Sequence, residues 1–285
     1  MLPNFLIIGA QRSGTTTLWI ACDRHPNIYM SPTRETAFFC NDGLYNRGAA
    51  FYETTFFHEW SAQRTVGEKT PEYLLYPGTA ARIRRLLPDA RMVVTVRSPA
   101  ERAHSNWRHN LMFGWESLPF REALDAEPDR IAANKNAIGR FGYLARGKYR
   151  RQLDQYYYEF DREQVHILLF DDLIADQAAA LAMMYRFLGV EPVEGVTIHE
   201  GQAPITRIEV EGTGSNVTIR FKGRTIRQPS EQLRAFAEQY NKTLETLKPL
   251  SKEEAIEINR TMFFDDIDAL SECAKRNLGP WLGKS

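Results

Sequence analysis

The chain has 285 residues, 43% of them hydrophobic and 12% aromatic, enough to bury one large core without a second domain. Lys plus Arg and Asp plus Glu number 36 each, so no global charge recruits nucleic acid or an anionic membrane, and any anion site has to be built locally. Three widely spaced cysteines, Cys22, Cys40 and Cys273, form neither a disulfide framework nor a CxxC metal pattern and read as buried or incidental thiols of a reducing compartment.

The apolar run from Phe5 to Ala10 is too short to span a bilayer, lacks a basic flank and runs straight into a glycine turn. It is expected to be the first core strand of a soluble, cytoplasmic protein without a membrane anchor, unless the chain is cut from a longer one. Residues 9–17, GAQRSGTTT, follow as a Gly-x-x-x-x-Gly turn and a polar helix start. Strand, glycine turn and helix N-terminus aim backbone N–H groups and a positive dipole end at one spot, the geometry of an anion cradle. The lysine that follows the second glycine in nucleoside triphosphatases is replaced by Thr15, and the basic side chain sits inside the loop as Arg12.

Helical spacing through Thr17, Leu18, Ala21 and Cys22 ends before His25-Pro26. Ile28 to Met30 reads as a short strand, followed by the charged turn Thr33-Arg34-Glu35 and apolar Phe38-Phe39; Val66 to Lys69 reads as another strand. Arg91 to Val96 is β-branched and apolar, Arg97 ends it, and Ser98-Pro99-Ala100-Glu101 has the pattern of a capping box with proline at the first helical position. Val165 to Phe170 reads as a buried strand, and Asp176 caps a helix carrying Leu181, Met184, Tyr185 and Leu188, closed by Gly189. Strands joined by crossover helices imply a parallel sheet. From Thr197 to Gln228 a hairpin and a basic loop are expected. Helical patterning returns over 230–248 and 252–275, with Trp281-Leu282 pinning the C-terminus. The whole is expected to be one α/β domain over 1–285, with a helical tail from about 251, and shows no internal repeat.

Four segments in register, QRSGTTT, Arg34-Glu35 before Phe38-Phe39, Glu68-Lys69-Thr70-Pro71 and RSPAERAHS, resemble the sulfotransferases that use 3'-phosphoadenosine 5'-phosphosulfate (PAPS), nearest the heparan sulfate type. The resemblance covers roughly residues 3–190, with weaker matches at LARGKY (144–149) and KGR (222–224). It implies a three-layer, P-loop-like α/β fold with a central parallel sheet flanked by helices, PAPS as co-substrate, PAP as product and no metal. Backbone N–H groups from Arg12 through Ser13, Gly14, Thr15, Thr16 and Thr17 would cradle the phosphosulfate, with Thr15 and Thr16 on the 5'-phosphate. Arg12, standing where the family usually has lysine, would neutralise the bridging oxygen. A guanidinium is a rigid fork and an ammonium a mobile point charge, so the two would not follow that charge equally well.

The 3'-phosphate distinguishes PAPS from an adenine nucleotide. Arg97 ends a core strand, and Ser105 lies two helical turns past Ser98 on the same face; the resemblance assigns both to that phosphate. It places Arg220, Lys222, Gly223 and Arg224 over the nucleotide from the other side and Tyr149 against it, with simple packing as the alternative for Tyr149. Glu35 matches the family's base, and Arg34 beside it would hold its pKa down unless burial or sulfonate charge offsets this. His109, one turn after Ser105, and Lys69 match residues lining the reacting centre, and Glu68 is expected to be the structural partner of Lys69.

Two rivals remain at this point. A P-loop kinase or NTPase differs from GxxxxGTT by little, although the lysine and an obvious magnesium aspartate are missing. A non-catalytic nucleotide-binding protein on the same fold is disfavoured by Glu35. The acceptor is expected to be a small molecule, natural product or glycan bound by loops 40–65, 110–142 and 200–220, with Tyr45, Tyr52, Trp107, Phe113 and Trp115 as candidate contacts. Neither its identity nor the oligomeric state is legible here.

Overall fold

The computed structural model describes residues 1–193, 198, 208–211, 218–221, 224–227 and 231–284, with 219–221 and 224–227 described as backbone only. Five parallel strands, β1 (Phe5–Gly9), β2 (Ile28–Met30), β3 (Thr65–Lys69), β4 (Arg91–Val96) and β5 (Val165–Leu169), form a sheet in the order β2-β3-β1-β4-β5. The order explains why β1, all five residues of which are buried, reads as a continuous apolar run: it is central and covered on both faces. Side chains alternate across it. Phe5 and Ile7 join Leu18 and Ala21 of the helix Thr15–Asp23 and Leu181, Met184 and Leu188 of the helix Gln177–Leu188. Leu6 and Ile8 enter the larger opposite layer, with Ile83, Ala103, Leu153 and Ile258 contributed by four further helices. The result is the expected three-layer α/β fold. With both faces sealed, a ligand has access only at the strand ends, and the chain leaves β1 and β4 in opposite directions there, the arrangement that opens a crevice.

Several boundaries differ from expectation for local reasons. β5 stops at Leu169, and Phe170 opens a short helix, Phe170–Ala175. The helix expected over 252–275 is two helices, Lys252–Met262 and Phe264–Ala274. Phe263 turns inward between them and is buried. Neither glycine nor proline marks the break, so nothing in the local pattern announces it. Trp281 pins the C-terminus as expected, its Nε1 donating to Asp171 at 2.8 Å. Between Thr197 and Gln228 the described strands β6 (Glu209–Glu211), β7 (Thr218–Phe221) and β8 (Arg224–Arg227) make an antiparallel sheet, consistent with the expected hairpin. No helix among the described residues is long and apolar enough to cross a membrane.

Candidate active site

The glycine loop leaves β1 at the mouth of the crevice and is tied to β4. Ala10 N–H donates to the Thr95 carbonyl at 2.7 Å, and Thr95 Oγ1 donates to the Ser13 carbonyl at 2.8 Å. Gly14 is the N-cap of the helix Thr15–Asp23, with φ of 91° and no capping side chain of its own, so the helix N-terminus and its positive dipole end face the loop. A Cβ on Gly14 would come within 2.9 Å of the Phe170 ring, which adds a steric reason for glycine to the conformational one. Ser13, Thr15 and Thr17 are buried and Thr16 is half-buried.

Arg12 also has a positive φ, 68°. Its Nε is buried and has no protein partner among the described residues. Burial draws its pKa down to about 10; Glu35 and Glu72 act against this and Arg146 with it. The group therefore remains a cation near neutral pH, an underpaired one at the mouth of the loop.

Glu35 meets Lys69 rather than Arg34. Lys69 Nζ lies 2.6 Å from Glu35 Oε1, with the lysine buried and the carboxylate half exposed. Arg34 places its guanidinium 4.8 Å over the Trp19 ring. The expected pairing of Lys69 with Glu68 is incorrect, because successive strand residues face opposite ways. Glu68 turns into the core, wholly buried, and accepts hydrogen bonds from Thr36 (2.7 Å), Tyr52 (2.6 Å), Thr70 (2.9 Å) and Tyr73 (2.8 Å). Two of those donors are the residues next after Glu35 and Lys69, so Glu68 fixes the backbone that presents the pair. Burial raises the Glu68 pKa even against these donors. Glu68→Ala leaves four buried hydroxyls without their acceptor and is expected to destabilise the fold by roughly 3–5 kcal/mol. Urea unfolding would show this as a lower midpoint; an unchanged midpoint would contradict it.

Across the crevice, Arg97 follows the end of β4. Its guanidinium lies 4.8 Å over the Phe170 ring, and Nε donates to Glu101 at 2.9 Å. Glu101 thus does not close a capping box. Asn259 caps the helix Pro99–Met112 instead, accepting Ala100 N–H at 3.0 Å and donating to Ser98 Oγ at 3.0 Å, a contact between residues too far apart in sequence for a motif to reveal. Ser105 stands half-buried on the same helix, as expected from its spacing. One turn on, Arg108 shares that face; its Nε is buried without a protein partner, and its pKa is lowered by burial and then by Arg97. Motif matching missed Arg108. Tyr149 is wholly buried and donates to the Arg97 carbonyl at 2.9 Å, a packed position that supports Arg97 from behind.

LARGKY contributes through another residue. Arg146 is buried and donates to Glu72 at 3.0 Å and to the Gly139 carbonyl at 2.7 Å, joining the charges around Arg12. Arg102, inside RSPAERAHS, is wholly buried behind the loop and donates to the Tyr143 carbonyl at 2.5 Å.

His109 packs beside Phe113 and Trp115, at centroid distances of 4.6 and 5.5 Å, and lines a cleft of about 460 Å³ that reaches Gln11, the neighbour of Arg12. Trp115 also lines the cleft, and both Trp115 and Phe113 are exposed. Two other expected acceptor contacts are not: Tyr52 is spent on Glu68, and Trp107 is buried with Nε1 donating to the Leu118 carbonyl at 2.9 Å. Tyr45 is half-buried under the Arg82 guanidinium.

The loop carrying Trp115 is held by Glu116, which receives Arg130 at 2.5 Å, the Ser117 and Leu118 N–H groups and the Tyr143 hydroxyl. Burial alone would raise its pKa, but these donors prevail and hold it at about 2. Its stabilising effect is therefore present above the unfolded value of 4.5 and is lost as pH falls toward 2. In acid titrations Glu116→Gln is expected to be less stable than the parent near neutral pH and to lose less stability between pH 4.5 and 2; parallel curves would contradict this.

Arg220 and Arg224 lie on β7 and β8, whose backbone alone is described, and Lys222 and Gly223 lie outside the described residues. Among the described residues no group of His, Cys, Asp or Glu is arranged to hold a metal.

Residues 40–194 match the family model described as the sulfotransferase family. The chain is 28% identical over 217 residues to the bifunctional heparan sulfate N-deacetylase/N-sulfotransferase of Drosophila melanogaster, covering 70% of this chain and 20% of that protein. It is 25% identical over 194 residues to human heparan sulfate glucosamine 3-O-sulfotransferase 5, covering 67% and 54%. The chain thus spans only part of the curated relatives it matches. Among solved structures, a sulfotransferase from Alicyclobacillus acidocaldarius superposes with a TM-score of 0.70 at 27% identity over 99% of each chain. A kinase or NTPase is not favoured beside these matches, and the chain belongs to the sulfotransferase family.

Proposed function

We propose that this enzyme transfers the sulfonyl group of PAPS to a hydroxyl or amine of a small-molecule or glycan acceptor and releases PAP. The Glu35–Lys69 pair at 2.6 Å, beside an underpaired Arg12 at the mouth of the glycine loop, carries this reading. The residues suit the co-substrate: first-turn N–H groups and the Thr15 and Thr16 hydroxyls for the 5'-phosphate, and Arg97, Ser105 and Arg108 for the 3'-phosphate. The Nε groups of Arg12 and Arg108 are buried without a protein acceptor among the described residues, as expected of donors reserved for an anionic ligand.

In this scheme Glu35 takes the acceptor proton as the acceptor oxygen or nitrogen bonds to sulfur. The bond from sulfur to the bridging oxygen breaks, and that oxygen leaves with PAP. Arg12 neutralises the departing oxygen, while Lys69 and His109 face the transferring group. Positioning and electrostatics then supply most of the acceleration, as in phosphoryl transfer. A cytoplasmic location belongs to the proposal and is supported by three cysteines that remain free thiols. Incubation with PAPS and a panel of alcohols and amines should release PAP and add a sulfonate mass to an acceptor. Protein that neither binds PAP nor releases it would refute the proposal.

A further inference from the structure

We propose that the cleft beside Gln11 is the acceptor subsite and that it selects a neutral, polyhydroxylated acceptor, a short glycan or glycoside, over a polyanionic one; this rests on the sulfonyl-transfer function proposed above. The cleft of about 460 Å³ lies within the usual range for small-ligand sites, about 300–1,000 Å³. Five carboxamides line it: Gln11, Asn106, Asn110, Asn134 and Asn136. Each carboxamide carries donor and acceptor atoms, as does a sugar hydroxyl, whereas a carboxylate or sulfate offers acceptors only. Recognition of several anionic groups calls for several guanidinium or ammonium donors. Among the described residues Arg140 is the one guanidinium in the lining, and it lies 4.3 Å over the Trp115 ring.

The amide positions are built rather than incidental. Asn106 and Asn110 are buried and both donate from Nδ2 to the Arg140 carbonyl, at 3.0 and 2.8 Å, and Asn110 also donates to Tyr143 Oη at 2.9 Å. Asn134 accepts the Asn136 N–H at 3.0 Å. Gln11 Oε1 is buried with no protein partner among the described residues, an acceptor for a ligand donor immediately beside Arg12. Trp115, 43% exposed with Phe113 stacked at 5.3 Å and Arg140 over its ring, presents its exposed edge at the rim, an apolar contact beside the carboxamides for the C–H groups of a sugar.

The experiment uses the full chain saturated with PAP, whose binding is measured first by calorimetry. Saturation-transfer NMR is then run with a panel of neutral disaccharides and with sulfated, carboxylated oligosaccharides of similar length, at low and high salt. The expected result is binding of at least one neutral disaccharide, insensitive to salt and weakened at least tenfold by Trp115→Ala and by Asn136→Ala, with PAP affinity and melting temperature retained. Binding confined to the polyanions, neutral binding unmoved by both variants, or no saccharide binding by PAP-loaded protein would each overturn the subsite. Failure of PAP itself to bind would instead bring down the proposed function and the subsite with it.

Discussion

Glu35→Gln is expected to lower kcat by roughly 10²–10⁴-fold, the usual worth of a positioned general base, while PAP affinity stays within a few-fold of the parent. The substitution keeps the shape and an acceptor oxygen for Lys69, which sits 2.6 Å away and is buried, so the lysine keeps a hydrogen-bond partner. What is lost is the ability to take the acceptor proton as sulfur is transferred. Glu35 is also half exposed, so a ligand can reach its carboxylate. The distinguishing readout is the split between turnover and binding: a structural role for Glu35 would weaken PAP binding and lower the melting temperature along with the rate. Single-turnover transfer from PAPS, with PAP calorimetry on the same protein, separates the two. A kcat within a few-fold of the parent would remove Glu35 from the chemistry.

Arg12→Ala is expected to reduce kcat by roughly 10²–10³-fold, as for loss of one preorganised donor aimed at developing charge. The side chain is half-buried, and its buried Nε has no protein acceptor among the described residues, so its removal disrupts little of the resting structure, and melting temperature should change little. Arg12→Lys should recover part of the rate: the charge returns, but the fork that stands among Glu35, Glu72 and Arg146 does not. Equal rates for Arg12→Ala and the parent would mean that the departing oxygen is neutralised elsewhere, with Lys69 the next cation to test.

Much of the frame was legible because it rests on local signals. Phe5 to Gly9 is apolar throughout because it lies in the middle of a sheet covered on both faces, and Gly14 ends the loop because φ is positive and Phe170 stands against it. The periodicity through Leu181, Met184, Tyr185 and Leu188 marks a helix face that does enter the core. The misreadings share a different cause. Glu68 and Lys69 are adjacent in sequence, yet strand alternation sends one into a hydroxyl cluster and the other to Glu35. Ser98 looks like half of a capping box, but Asn259, 161 residues further on, caps that helix. Arg146, within the LARGKY match, has no expected role in the sequence reading, although its charge reaches Arg12. Arg108 has no motif of its own and gains meaning only from sharing a helix face with Ser105 and feeling the charge of Arg97. Side-chain partnerships across the fold decide these cases, and no local pattern encodes them.

Under the proposed function, the crevice between β1 and β4 holds a nucleotide bearing phosphates at both the 5' and 3' positions. The most direct measurement is calorimetric titration of the full chain with PAP and with AMP, which differ by the 3'-phosphate alone. Charge-assisted contacts from Arg97 and Arg108 at about 1.5–3 kcal/mol each imply that PAP binds at least about tenfold tighter than AMP. Equal affinity for PAP and AMP, or tighter binding of ATP with magnesium than of PAP, would contradict it.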